Sequence, residues 1–450
     1  MRVLLISPNT LAAPYPVYPL GLDYVAGSIS ESHEVKIIDL NVVSREELQK
    51  MLFDFAPQII GVSCRNIDNT DVSDSQYFVG GYAELVFWLR KHSEATIVCG
   101  GSGFTIMPQQ VLTALSADYG IIGEGERFGL LVDAIEGGEN PENIPGVISA
   151  ASAAGSKTPE PWPGMRVRAF RRHQAHRKFY LEHGGMLNLQ SKRGCSFKCI
   201  YCPYPAIEGK KHRVVESEEV AKTALELQEA GAKYFFITDS AFNSDIDHSL
   251  AVAKSFKEAG VSIPWGGFFA PVKLPSDYFD IMADAGLAHV EFGTESLSER
   301  ILKTYRKPFR LDDVYAAHNQ ALAAGVHVAH YLLMGGPGES PVTISETLDN
   351  IDKLRKTVLF FFFGIRIYPQ TTLYDIALKE GKITKDTNLL EPVFYQADDI
   401  DLRTIEALVT ARVGKRINCV IGSGGAGGAA TVSRMHERGY VGPMWEFLIR

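Results

Sequence analysis

Cysteine is scarce in this sequence, with six in 450 residues, and Cys64, Cys99 and Cys419 stand far apart. Such a distribution lays out no disulfide framework, so the chain is expected in a reducing, cytoplasmic setting. Basic charge is not in excess either: 45 Lys and Arg face 53 Asp and Glu, leaving a formal charge of -8. A general nucleic-acid binder needs the opposite balance to neutralise phosphates. Long apolar runs are absent too, and no transmembrane segment is expected. The longest run, 358–365, is well short of the roughly 18 residues that cross a bilayer. The opening MRVLLISPNT has one Arg, a five-residue apolar stretch and no small-residue cleavage pattern, which predicts a strand and not a secretory leader. What remains is ordinary globular material, 46% hydrophobic and 22% charged, long enough for about two or three domains.

Short apolar runs rich in β-branched residues recur at 3–7, 35–39, 59–63, 96–99 and 119–122. Stretches with helical spacing lie between and after them at 20–30, 45–55, 77–91, 109–115 and 127–135. This alternation predicts an α/β fold over 1–150: a doubly wound, Rossmann-like sheet with its ligand at the carboxyl ends of the strands. Those ends carry SPNT from Ser7, SCRN from Ser63, GGSG from Gly100 and GEGE from Gly123. No Gly-x-Gly-x-x-Gly follows the first strand, which disfavours a dinucleotide. His33 stands near the start of a strand, outside these loops, and is expected to be structural.

The segment 151–184 reads as a linker. Its first part, 151–164, is small and Pro-rich without period, and 166–178 is basic, a solvated arm on acidic surface or a contact for a phosphate or nucleotide tail. From 185 to 384 alternation resumes with strands at 187–192, 234–238, 263–269, 289–293, 327–333 and 359–368, separated by longer helices. Six βα units predict a partial (β/α)6 TIM-like barrel, with its chemistry at the carboxyl ends of the strands and with Phe360 to Phe363 in the sheet core. A small C-terminal region, 385–450, is weaker in pattern and is expected to cap the barrel or build the substrate pocket. Its Gly-rich stretch, 422–428, lacks the Gly-Lys-Ser/Thr of a phosphate loop and predicts a flexible connection.

RGCSFKCIYC, 193–202, follows the first barrel strand and brings Cys195, Cys199 and Cys202 within eight positions. Thiolates are soft ligands for iron-sulfur clusters or zinc, and spacings of four and three let one loop aim all three at one centre. A structural zinc wants a fourth closed ligand, and the nearest candidate, His212, lies in a Lys-Lys-His-Arg run that reads as solvent-facing. Three ligands instead leave one iron of a four-iron cluster open to a chelating substrate.

Cys-x3-Cys-x2-Cys with an aromatic before the last Cys, here Tyr201, resembles the defining motif of the radical S-adenosylmethionine (SAM) enzymes. The resemblance continues in order along the barrel. FFITDSAFN (235–243) is similar to the segment that holds the SAM amino group, which implicates Asp239 and Ser240. EFGTES (291–296) resembles the ribose segment, with Glu295 and Ser296, and MGGPGES (334–340) the turn near methionine and adenine, with Gly335, Gly336 and Pro337. IYPQTTLYDIALKEGKI (367–383) resembles a family Pro-x-Thr-x-Leu segment. Carboxylates at strand ends suit ribose hydroxyls and an ammonium, and glycines let backbone approach a nucleoside.

The first domain narrows the subclass. VCGGSGFTIMPQQVL followed by DYGIIGEGE (118–126), and then KRGCSFKCIYCPYPAIEGKKHR (192–213), resembles the cobalamin-dependent radical SAM family over roughly 1–385; RGYVGPMWEF (438–447) is similar to the closing segment of some members. The resemblance implies a cobalamin site built from Asn9, Ser63, Arg65, Asn66, Gly100, Gly101, Gly123 and Glu124. The Asp-x-His-x-x-Gly signature of a lower histidine ligand is absent after the first strand, which implies a cobalt without protein imidazole below; Arg65 and Asn66 are the candidates for that side, unless Arg65 closes an ion pair with Asp68 or Asp71.

The implied cofactors are a 4Fe-4S cluster, SAM and cobalamin. The implied reaction is reductive cleavage of SAM to a 5′-deoxyadenosyl radical, hydrogen abstraction from an unactivated carbon, and methyl transfer from methylcobalamin, with the protein supplying orientation and exclusion of water. A rearrangement, ring contraction or cyclisation with cobalamin as redox partner is the alternative. Methylthiotransferase chemistry would need three further N-terminal cysteines, where only Cys64 and Cys99 stand, and a cofactor-binding sensor would need an output module. A small-molecule, lipid or peptide substrate is expected, with a low-potential donor such as flavodoxin or ferredoxin as partner.

Overall fold

The computed structural model describes residues 1–11, 15–152, 159–164, 166–170 and 176–449. The first apolar runs form β1 (Arg2–Ser7), β2 (Glu34–Asp39), β3 (Ile59–Ser63), β4 (Thr96–Gly100) and β5 (Tyr119–Ile121), all parallel, with β6 (Val147–Ser149) antiparallel on the edge. Their order is β2-β1-β3-β4-β5-β6. Val3, Leu4, Leu5 and Ile6 are wholly buried, as a strand covered on both faces requires. The chain leaves β1 on one side for β2 and returns to β3 on the other, so a crevice opens at the carboxyl ends of β1 and β3. The helix Arg45–Phe55 shows how locally these elements are specified: Ser44 Oγ accepts from Glu47 N, and the Glu47 carboxylate accepts from Ser44 N.

The second unit contains β7 (Met186–Leu189), β8 (Lys192–Arg193), β9 (Arg213–Val214), β10 (Tyr234–Ile237), β11 (Trp265–Phe269), β12 (Leu287–Glu295), β13 (His327–Met334), β14 (Thr357–Phe363), β15 (Ile365–Arg366), β16 (Phe394–Tyr395) and β17 (Cys419–Ile421). Seven of them make one parallel sheet in the order β17-β14-β13-β12-β11-β10-β7. β8 and β9 form a separate antiparallel ribbon around the cysteine loop. Of the four phenylalanines at 360–363, Phe361 and Phe363 are buried against the helix Pro341–Asn350. Phe360 and Phe362 are on the other face, stacked with Tyr331 at 4.9 and 6.2 Å.

One expectation needs correction. The stretch 422–428 is not a loose connection: β17 pairs with β14, Gly422 N donates to Phe361 O (2.8 Å), and the helix Gly425–Glu437 starts inside the stretch. A three-residue strand with only part-buried side chains has too little pattern to be read beforehand. The linker, of which 153–158, 165 and 171–175 lie outside the described residues, is tied down where it is described. Arg168 pairs with the buried Asp23 (2.8 Å), and the Tyr180 hydroxyl donates to Asp39.

The closing segment packs under the barrel, where Trp445 is buried against Ala329 and Val358 and donates from Nε1 to Glu291 Oε1 (3.0 Å). One apolar core runs from Ile6 and Ile60 of the first sheet through Ile200 to Tyr305 and Leu373 of the second unit, so the two units pack as one body. No helix among the described residues is long and apolar enough to cross a membrane. His33 is buried and bound to Asp133 (2.9 Å), away from the crevice.

Candidate functional site

The cysteine loop is shaped by its backbone. Gly194, at φ +90, turns β8 into the loop where any Cβ would collide with Lys211 O. Cys195 N then donates to Gly209 O and Ile200 N to Tyr305 O, each at 3.1 Å. The three thiols are free and line one cavity with Phe197, Tyr201 and Ser240. Burial pushes the Cys202 thiol up to about 12 and raises Cys199 as well. Thiols in such surroundings keep their protons until a bound cation favours the thiolates, and sulfurs sharing one cavity suit soft iron. His212 lies outside this cavity, with its ring at Ser244 Oγ (3.1 Å) and Asp245 (3.6 Å).

Across the cavity β12 ends in a register shift, and Glu295 sits at φ +60, a conformation costing a non-glycine residue about 1–3 kcal/mol. Lys307 Nζ meets Glu295 Oε2 at 2.6 Å and donates to the Tyr201 hydroxyl at 3.2 Å. Burial pulls the Lys307 ammonium down, but the Glu295 carboxylate more than offsets this and its pKa is raised. Ser240 Oγ, also buried on this cavity, has no hydrogen-bond partner among the described residues. A free hydroxyl, a carboxylate and an ammonium beside three thiols are the groups that the zwitterionic end of SAM requires. Nothing in the TYRKPFR run marks Lys307 over its neighbouring cations; only its burial does.

The other residues expected at SAM are turned into the protein. Asp239 Oδ1 accepts from Ser191 N (2.8 Å), and Oδ2 from Ser191 Oγ (2.6 Å) and Lys192 Nζ (3.0 Å). With Lys192 also donating to Ala241 O and Phe242 O, the pair locks β8 to the end of β10 and leaves no free carboxylate for an amino group. Ser296 Oγ bonds Thr347 Oγ1 (3.0 Å) and accepts from Ser298 N (3.1 Å). Gly335 and Gly336 admit protein and not ligand: a Cβ would stand 2.7 Å from Leu402 Cδ2 at the first and collide with the Tyr305 hydroxyl at the second. Pro337 is buried beside them. Gly335 N donates to Glu339 Oε2 (2.6 Å), and burial pushes that carboxyl up to about 7.

The crevice of the first sheet forms a second space. Ser63, Gly100, Gly101 and Gly123 line a cleft over an apolar floor that includes Leu5 and Val98. Gly101, at φ +108, would hold a Cβ 2.8 Å from Cys64 O, and Gly61 has no room for one between Leu5 and Phe128. Bare backbone over an apolar floor fits the tail of a large ring ligand. A wider bay starts at Arg65 and Asn66 and runs past Tyr204 to Tyr368 and Ser423. Among the described residues no histidine lines the cleft or the bay. Arg65 makes no ion pair among the described residues, its Nη1 donating only to Val17 O (3.5 Å). Asp68 pairs with Arg366 (2.8 Å), and Asp71 accepts from Ser423 N (3.0 Å).

Two cobalamin candidates sit differently from expectation. Asn9 borders a separate hollow with Pro8 and Tyr82, and its carbonyl accepts from Asn41 Nδ2 (2.7 Å). Glu124 lines the cleft, yet its carboxylate is held by Arg193 (2.9 Å), by Arg213 (2.9 and 3.0 Å) and by Trp162 N. Burial alone would raise Glu124, but these bonds outweigh it and hold the carboxyl below its ordinary range. Tyr204, two residues after Cys202, lines both the bay and the cysteine cavity, so the two spaces are neighbours across one side chain.

Residues 6–129 match the B12 binding domain and residues 189–351 the radical SAM superfamily. Fold and site therefore define a radical enzyme that carries a cobalamin module in front of a barrel with a three-cysteine loop. The chain belongs to the cobalamin-dependent radical SAM enzymes. Its cofactors are a 4Fe-4S cluster, SAM and cobalamin. Among curated relatives it is 24% identical to cytidylyl-2-hydroxyethylphosphonate methyltransferase of Streptomyces wedmorensis, over 88% of this chain and 85% of that one. It is also 24% identical to tryptophan 2-C-methyltransferase of Streptomyces laurentii, over 82% and 73%. In fold it is similar to the radical SAM methyltransferase TsrM of Kitasatospora setae, solved with cobalamin and a 4Fe-4S cluster: TM-score 0.85 at 20% identity, covering 99% of this chain and 97% of that one.

Proposed function

We propose that this enzyme methylates a carbon atom of a polar small molecule. The observation that supports it best is the wall at Tyr204, which puts the space for a methyl donor next to the space for a radical source. When bound, the cluster with SAM supplies hydrogen abstraction and cobalamin supplies the methyl group. Cys195, Cys199 and Cys202 would hold the cluster, and Tyr201, Ser240, Glu295 and Lys307 would orient SAM. Asp239, Ser296, Gly335, Gly336 and Pro337 would support that site from behind. Ser63, Gly100, Gly101 and Gly123 would cradle cobalamin, with Arg65 and Asn66 toward its ring. The ion pairs at Asp68 and Asp23 hold the cobalamin module onto the barrel and its linker, which keeps the reacting spaces aligned and limits water.

A polar substrate is favoured because Asn69, Asp74 and Gln76 face the bay. The named relatives act on tryptophan and on a cytidylylated phosphonate, both polar and small. A low-potential one-electron donor, such as flavodoxin or ferredoxin, would reduce the cluster. The test is an anaerobic incubation with a reductant, cobalamin, methyl-labelled SAM and candidate amino acids and phosphonates. Label bonded to product carbon together with 5′-deoxyadenosine is expected; an unlabelled, rearranged product would overturn methyl transfer.

A further inference from the structure

The geometry points to Glu124 as a positioning residue that couples filling of the cobalamin cleft to the integrity of the cysteine loop. This rests on the two cofactors and not on methyl transfer. β8 and β9 pair Arg193 directly with Arg213, two like charges opposite each other in a two-residue ribbon. Such a pair is repulsive by itself. The ribbon nonetheless brackets the cluster loop: Arg193 precedes Gly194 and Cys195, and Cys195 N is held at Gly209 O, four residues before Arg213.

The carboxylates that reconcile the two arginines come from the other domain. Glu124 Oε1 lies 2.9 Å from Nη1 of both Arg193 and Arg213, and Glu126 Oε1 lies 2.7 Å from Arg193 Nη1. The side chains of Glu124 and Arg193 are 7% and 9% exposed, so neither charge has water as an alternative partner. Glu124, Glu126 and Arg193 also line the cleft beside Gly101 and Gly123, whereas Arg213 does not. A ligand that fills the cleft therefore presses on the carboxylates that set the ribbon, and the ribbon sets Cys195. By reciprocity, a built cluster must tighten cobalamin binding by the factor with which cobalamin stabilises the cluster.

The test titrates the anaerobic holoenzyme with a competing chelator to equilibrium, with and without hydroxocobalamin, and reads the iron retained. In the native protein cobalamin is expected to raise the chelator concentration that removes half of the iron at equilibrium at least about fivefold, the lower end of coupling between linked sites. Glu124→Gln keeps the shape but not the charge, and should bind cobalamin while losing that protection. Arg213→Gln breaks the same clamp from outside the cleft, and it decides the matter if Glu124→Gln fails to fold or to bind cobalamin. No protection in the native protein, or full protection in Arg213→Gln, would overturn the coupling. Failure of the native chain to bind cobalamin at all would instead overturn the cofactor assignment.

Discussion

Lys307 and Glu295 form an ion pair 2.6 Å long inside the cavity that the three cysteines line. Their side chains are 7% and 13% exposed, so the attraction is little screened. Lys307→Met is expected to weaken SAM binding by about tenfold or more, the effect of one charged hydrogen bond lost in a buried site. Titration with SAM checks it, with iron content measured alongside. Unchanged affinity would reduce the pair to a structural role.

Cys199 is held in the loop by the turn in which Cys202 N donates to Cys199 O (3.3 Å). Cys199→Ala should abolish cluster assembly and SAM cleavage while cobalamin still binds, more weakly by the coupling factor, because the cleft contains none of the three cysteines. Iron analysis, 5′-deoxyadenosine formation and cobalamin absorbance are the readouts. Retention of iron and cleavage would contradict the ligand assignment.

Asp68 and Arg366 tie the first domain to the barrel through a pair that is 0% and 3% exposed. Arg366 also donates to Leu389 O (2.6 Å) and Ile367 O (2.7 Å). Asp68→Asn leaves the guanidinium buried without its counter-charge, for which about 3–5 kcal/mol of destabilisation is expected. Denaturant unfolding measures it. A loss below about 1 kcal/mol, the level of an exposed pair, would mean water reaches the site.

Glu339 titrates near neutrality because burial disfavours its charged form, raising it from 4.5 to about 7. Its carboxylate therefore binds a proton more tightly in the folded than in the unfolded chain. The associated stability is full below about pH 4.5 and is lost as pH rises through about 7. Glu339→Gln removes this loss and can still accept from Gly335 N. Relative to the native protein the variant should gain about 1–3 kcal/mol between pH 5 and 8. A difference in stability that does not change with pH would show that the carboxyl is hydrated.

Much of the architecture was legible because its signals are local. The βα alternation and the two-faced burial of 3–6 follow from short-range patterns that need no partner to be read. The candidate site was legible in part. The cysteine loop is contiguous, and Gly100, Gly101 and Gly123 stand at strand ends that the sheet order brings together. Asp239 and Glu124 show where such reading stops. Both are carboxylates at strand ends, but Lys192 neutralises one and Arg193 with Arg213 the other, and no local signal ranks those arginines and lysines against a ligand.

By itself, then, the sequence determined the two-domain α/β plan, the three soft ligands and the absence of an imidazole in the loop after β1. Only the tertiary structure decided which polar groups are left for cofactors. It selected Ser240, Glu295 and Lys307 on one cavity, withdrew Asp239 and Ser296 into the scaffold, and turned Glu124 into a joint between domains. The physical reason is that a charge or hydroxyl can serve a ligand only where it faces a cavity, as the Lys307–Glu295 pair does, and not where protein partners enclose it, as Ser191 and Lys192 enclose Asp239. Partners such as Asp68 and Arg366 meet across 298 positions of chain.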